Sequence, residues 1–251
     1  MTVRLEWDGA VATVTVDRPE RRNALNRATL AALGDTLDEA EGDARVVVLT
    51  GAGDAFVSGA DIGEMVDLSP DGANEYAALG HAVTDRIESF PAPVIAAING
   101  YCLGGGLELA LAADLRVASE RAMLGHPEID LGIIPGWGGT QRLPELVGDE
   151  LARRMIFFGE RLDGTDAHEL SLVGDVVAHD ELDEYVADLA ADLAAKPAFA
   201  LQAAKEAINT ASASDDAGMA FERRTWSSLF GTHDQREGME AFLDGRDPDF
   251  D

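Results

Sequence analysis

The chain opens on an alternation of apolar and polar positions. Val3, Leu5 and Trp7 share one face of an extended run, Asp8-Gly9 follows, and residues 11–16 resume the apolar pattern. Two such runs around Asp-Gly predict a β-hairpin. Asn26 can cap a helix running to about Glu41, in which Leu30, Leu33 and Leu37 recur at helical spacing. Residues 45–50 hold the compact apolar stretch Val46-Val47-Val48-Leu49 and end at Gly51-Ala52-Gly53, which reads as a buried strand.

The pattern then repeats in kind. A helix over 76–89 stops ahead of Pro91-Ala92-Pro93, and 94–98 is the next buried strand. Gly104-Gly105-Gly106 opens an apolar helix to about Ala113; 115–118 and 173–178 read as further strands. Strands alternating with helices predict an α/β domain with parallel pairing. From about Glu181 the sequence reads as helices only, over 181–195, 198–211, 216–230 and 234–244, punctuated by Pro197 and Gly231. This divides the chain into a core over 1–195 and a helical region over 196–251. There is no fixed-period repeat and no low-complexity linker.

Charge changes the picture more than composition does. The 47 acidic residues outnumber the 19 basic ones, for a formal net charge of -28, and Lys196 and Lys205 are the only lysines. The acids are scattered and form no tail. Such a surface repels phosphate backbones, so nucleic acid is not an expected partner. It also repels itself, and concentrated salt would screen that repulsion. The balance is read as adaptation to a salt-rich cytoplasm. The single cysteine, Cys102, excludes an internal disulfide and fits a reducing compartment. No signal-peptide pattern and no membrane-spanning apolar run is visible, so a cytoplasmic protein away from membranes is expected.

Three segments carry candidate chemistry. Ser58-Gly59-Ala60-Asp61-Ile62 turns small residues into a helix start, where backbone N–H groups attract negative charge. Asn99 to Ala110 places three glycines ahead of a helix, letting the backbone approach a ligand closely. Its spacing is not the Gly-x-Gly-x-x-Gly of a dinucleotide loop. Glu108 is the odd residue of that helix, which is otherwise Leu and Ala. A carboxylate there either has a structural partner or faces a site where burial raises its pKa. The third segment, Gly125-His126-Pro127-Glu128, lies beyond one strand and leads into the Gly-rich stretch 132–142, which would wrap a pocket beside Glu128. Taken singly, Glu128 and His126 read as loop residues. Together the segments supply backbone donors for an oxyanion or enolate and carboxylates to move a proton. No cluster has metal-ligand spacing, so no metal is implied, and no Gly-x-Ser-x-Gly elbow supports a serine hydrolase.

At this point the sequence resembles the crotonase superfamily of enoyl-CoA hydratases and isomerases, and most of all its hydratases. The matching stretches are 18–26 (Arg18-Pro19-Glu20-Arg21-Arg22-Asn23-Ala24-Leu25-Asn26), 56–62, 97–100, 104–108 and 135–142, with 229–232 and 237–243 near the end. They cover nearly the whole chain in order. The resemblance implies a spiral of ββα turns with a C-terminal α-helical trimerisation region, assembled as a homotrimer or dimer of trimers. It implies an acyl-CoA thioester as substrate and no separate cofactor, since the substrate carries coenzyme A. Carried over by position, the amides of Ala60 and Gly105 would form an oxyanion hole, and Glu108 and Glu128 would be the paired catalytic glutamates. Ala24 and the segment Ala60-Asp61-Ile62 would hold the adenine and pantetheine parts. Gly104, Pro135, Gly136 and Trp137 would complete the substrate site.

The sequence also departs from the family pattern. His126 stands where hydratases often carry an amide, and Trp137 replaces a smaller residue seen in some of them. Gly63 stands where a basic residue often meets the CoA phosphates, and Glu20 is acidic nearby; Arg21 and Arg22 are available to compensate. A double-bond isomerase would need chiefly Glu128, so the presence of Glu108 favours hydration. A CoA-binding scaffold without activity is the non-enzymatic alternative.

Overall fold

The structure is a computed structural model that describes residues 2–210 and, beyond them, 233, 234, 237, 241, 246, 249 and 250. The opening hairpin forms as its alternation predicts. Strand β1 (Val3–Asp8) pairs antiparallel with β2 (Val11–Val16), with Leu5 opposite Val14. Helix α1 (Arg27–Ala40) starts where Asn26 accepts the Thr29 N–H at 2.8 Å. It buries Leu30, Leu33 and Leu37 and leads to β3 (Val46–Gly51).

From here two strands precede each helical return. β4 (Ala55–Val57) follows β3 and leads to α2 (Ile62–Met65) and α3 (Pro70–Glu88). β5 (Val94–Ile98) and β6 (Tyr101–Leu103) precede α4 (Gly105–Ala112). β7 (Leu115–Ser119) and β8 (Met123–Gly125) precede α5 (Gly139–Val147) and α6 (Asp149–Phe157). β9 (Arg161–Asp163), α7 (Gly164–Glu169), β10 (Asp175–Val177), α8 (Leu182–Ala194) and α9 (Ala198–Asn209) complete the described elements. The long strands make one sheet in the order β1-β2-β3-β5-β7-β10, parallel from β2 onward. The short ones make a second, β4-β6-β8-β9, antiparallel only at β9. The chain therefore climbs in ββα turns, a spiral α/β architecture of the expected kind.

The continuous apolar runs now have a cause. Val47 and Leu49 of β3 face the main core with α1, α3 and α4. Val46 and Val48 face the other way, onto Leu182, Val186 and Ala190 of α8. A strand covered on both faces has no polar side to show, so it loses its alternation. Helix α9 is tied back to the body through Lys205, whose Nζ lies 2.7 Å from Asp114 Oδ2 and donates to the carbonyls of Ile87 and Ala92.

Two expectations need correcting. Helix α3 begins at Pro70, not Tyr76: Ser69 accepts the Gly72 N–H, and a proline in the first turn forfeits no helical bond. Two strands, β7 and β8, rather than one, separate Glu108 from Glu128. The helices expected over 216–230 and 234–244 lie, single residues apart, outside the described residues.

Candidate active site

The site grows from the places where the second sheet hands over to helices. At the first, Asn23 has a left-handed backbone (φ 59°) and is buried. Its amide donates to the carbonyls of Ala52 (2.9 Å) and Ala55 (2.7 Å) and its oxygen accepts the Arg18 N–H. Arg18 in turn donates to the Ala24 carbonyl and pairs with Asp61 at 3.3 Å. The 18–26 stretch is thus a stapled loop laid along Ser58-Gly59-Ala60-Asp61. Leu25 bridges that segment, donating to the Gly59 carbonyl and accepting from the Asp61 N–H, each at 2.9 Å. Along an extended strand consecutive N–H groups alternate in direction, so the N–H of Ala60 points away from Leu25.

At the second handover, β6 ends at Leu103 and Gly104 (φ 53°) turns the chain into α4. Gly105 is the first residue of that helix, so its N–H is one of the donors without an intrahelical acceptor. A Cβ on Gly59 would lie 3.9 Å from the Gly105 nitrogen, which sets the two handovers side by side. The amides of Ala60 and Gly105 therefore belong to one small region.

Glu108 sits in the first turn of α4 and is only 2% exposed. Its Oε1 accepts the backbone N–H groups of Trp137 (2.6 Å) and Gly139 (2.8 Å). The structural partner and the site are thus not alternatives: Oε1 is anchored by two backbone N–H groups while the residue also lines the cavity. Burial pushes the Glu108 carboxyl above its ordinary range, and the neighbouring Glu128 charge adds to the rise against the opposing pull of those hydrogen bonds and His126. Glu128, 8% exposed, lies in the 3-10 turn Pro127–Leu131. Its Oε1 is 3.3 Å from His126 Nδ1, and its Oε2 has no hydrogen-bond partner among the described residues.

Both carboxylates line one cavity of about 700 Å³. Its walls are otherwise mostly apolar, with Met65, Leu68, Ala73 and Ala77 on one side and Ile133 and Ile134 on another. The expected residues Ala60, Ile62, Gly104, Gly105, Gly136 and Trp137 also line it. Ala24, Asp61 and Pro135 are not among its lining residues. Ala24 and Asp61 are gathered by Arg18, and Pro135 is buried within 3.0 Å of where a Gly139 Cβ would stand. Trp137 closes the cavity between α3 and α4. A Cβ on Gly80 or Gly105 would come within 2.2 Å of the indole, so both helices must present glycine there.

Sequence reasoning missed Tyr76 and Arg18. Tyr76 lies 5.9 Å from Trp137, ring to ring, donates its hydroxyl to the Leu25 carbonyl, and is pushed up to about 12 by burial. A tyrosine in an amphipathic helix gives no local sign of a partner in another loop. Arg18 stood inside a matched stretch, but its two acceptors, Ala24 and Asp61, emerge only in the fold. Among the described residues no group of three or more His, Cys, Asp or Glu could hold a metal ion, and no helix is long and apolar enough to cross a membrane.

Comparison with known proteins bears on this geometry. The family model described as enoyl-CoA hydratase/isomerase matches residues 6–251. The chain is 42% identical to the short-chain-enoyl-CoA hydratase of Clostridium acetobutylicum, over 97% of this chain and 95% of that one. It is 41% identical to the crotonyl-CoA hydratase of Syntrophomonas wolfei, over 98% and 96%. The crystal structure of an enoyl-CoA hydratase from Bacillus anthracis superposes with a TM-score of 0.95 at 37% identity, covering 100% of this chain and 99% of that one.

Proposed function

The chain belongs to the enoyl-CoA hydratase/isomerase family and is an enoyl-CoA hydratase, and we propose that Glu108 and Glu128 together add water across the C2–C3 double bond of a 2-enoyl-CoA thioester. The observation that supports this assignment of roles is the meeting of two buried carboxylates in one mostly apolar cavity, whose lining also includes the neighbouring residues Ala60 and Gly105.

The geometry supports the following roles. Glu108, with Oε1 anchored, uses Oε2 to take a proton from the water that attacks C3. Glu128 gives its proton to C2. The electron pair displaced from the double bond collects on the thioester oxygen, between the Ala60 and Gly105 amides, and returns to C2 as the proton arrives. Each donor of this kind is worth about 2.7–4 kcal/mol in acyl chemistry. One water is consumed, and a proton passes back from Glu108 to Glu128 before the next turnover. Low dielectric in the apolar cavity strengthens each of these interactions. The raised Glu108 carboxyl suits a base that works near neutral pH.

Ala24 and the segment Ala60-Asp61-Ile62 would hold the adenine and pantetheine parts, and Gly104, Gly136 and Trp137 would complete the substrate site. The protein needs no cofactor of its own on this reading. Exposed Phe157 and Phe158 at the end of α6 support assembly of several copies, as a homotrimer or dimer of trimers. The formal charge of -28 supports a salt-rich cytoplasm as its setting and argues against nucleic-acid binding. Turnover of crotonyl-CoA by wild type and by Glu108→Gln tests the assignment: loss of hydration in the variant supports it, and unchanged hydration refutes it.

A further inference from the structure

One imidazole lies behind both carboxylates. His126 is fully buried, and its Nδ1 is 3.3 Å from Glu128 Oε1. The other edge of the ring presses on Gly139, where a Cβ would stand 2.7 Å from Cε1 and 2.8 Å from Nε2. The Gly139 N–H is one of the two that hold Glu108 Oε1. The ring therefore touches Glu128 directly and backs the amide that anchors Glu108. Its Nε2 has no hydrogen-bond partner among the described residues.

We propose that His126 is a positioning residue for the hydration assigned above, its Nδ1–H holding Glu128 Oε1 so that Oε2 carries the proton delivered to C2. The inference rests on that assignment. An oxygen that already accepts an N–H is the less basic of the two, so the carboxyl proton resides on Oε2. A proton on Nε2 instead would be a buried donor without an acceptor, which disfavours that tautomer. The ring's contact with Gly139 keeps the distance between the two carboxylates from drifting, which matters because small misplacements of reacting groups are costly in rate.

The test uses His126→Asn and His126→Leu in the full chain, with folding checked by circular dichroism and melting. Asparagine supplies an N–H near the Nδ1 position; leucine fills the space without a donor. Loss of a hydrogen bond to a carboxyl that becomes anionic as it gives up its proton predicts a fall in kcat of about 10- to 100-fold in the leucine variant. KM for crotonyl-CoA should stay within about threefold, because the bond acts on the reacting step and not on binding. The asparagine variant should recover kcat to within about fivefold of wild type. A leucine variant as fast as wild type overturns the proposal, as does an asparagine variant no faster than the leucine one. If either variant fails to fold, ¹⁵N NMR of histidine-labelled wild type decides: Nδ1–H at His126 supports the proposal and Nε2–H overturns it. That spectrum is read on the resting protein, so it stands even if wild type hydrates nothing, in which case the hydratase assignment alone fails.

Discussion

Glu108 Oε1 receives the backbone N–H of Trp137 at 2.6 Å. The residue that closes the cavity is therefore also one of the two whose amides hold the carboxylate. In Glu108→Gln the side-chain oxygen can still accept both N–H groups, so the turn should keep its place. What is lost is the base. General acid–base groups contribute about 10²–10⁴-fold, and kcat for hydration should fall by that order while CoA binding and the far-ultraviolet spectrum hold. Double-bond isomerisation, which depends chiefly on Glu128, would survive if the chain catalyses it.

The same substitution has a stability signature. Burial raises the Glu108 carboxyl above its unfolded value. Between those two values the folded protein binds the extra proton, so stability falls as pH rises through the window. Neutral glutamine escapes that loss. Glu108→Gln should melt above wild type at neutral pH, and the gap should close on acidification below the ordinary carboxyl range. Melting curves across pH check the sign; a variant that gains on acidification would contradict it. Hydration by wild type should also fade on the acid side at a pH above that of an exposed carboxylate, as Glu108 takes up its proton.

On the proposed assignment, Trp137 sets the depth of the cavity for the acyl chain. Its indole is seated between Gly80 and Gly105, with no room for a Cβ at either. Trp137→Ala should cost about 3–5 kcal/mol of stability and open space toward α3. Each methylene accommodated there is worth about 1–3 kcal/mol, so the kcat/KM ratio of octenoyl- to crotonyl-CoA should rise at least about tenfold. Equal losses on both substrates would show that the indole does not limit chain length.

Lys205 is one of only two lysines and is buried against Asp114. Lys205→Met removes the cation and leaves the carboxylate with the Val94 N–H it also accepts, at 2.7 Å. A fully buried pair broken this way loses about 3–5 kcal/mol; Asp114 is about a quarter exposed, so about 2–3 kcal/mol is expected. Denaturant unfolding measures it. The pair lies away from the cavity, so kcat well below the melting temperature should match wild type.

Self-repulsion at a net charge of -28 should make the fold depend on salt. The screening length shrinks from about 10 Å at 0.1 M to about 3 Å at 1 M. The melting temperature should climb as KCl is raised over that range. A flat or falling curve would remove the salt-adapted reading without touching the active-site assignment.

The parts of the fold legible in the sequence are those with enough residues to show a period. Strands β3 and β5 stand out as apolar runs because both faces are covered. The second sheet does not, because strands such as Ala55–Val57 and Tyr101–Leu103 are too short for any alternation to register. The start of α3 was hidden by Pro70 and Gly72, which read as a turn until Ser69 caps them. At the site, Glu108 announced itself as a carboxylate in an apolar helix. Its partners did not, since Trp137 and Gly139 approach it only through the fold of the Gly-rich loop. His126 looked like an ordinary loop residue for the same reason: its contacts with Glu128 and Gly139 are made across a turn whose shape the sequence does not print.

The most direct test is to mix the purified protein with crotonyl-CoA in molar KCl and follow the absorbance of the conjugated thioester. Rapid loss, with 3-hydroxybutyryl-CoA as product and abolished by Glu108→Gln, is the predicted result. No loss from a folded, CoA-binding protein would contradict short-chain hydration by this site and turn attention to isomerisation of 3-enoyl substrates or to a binding role.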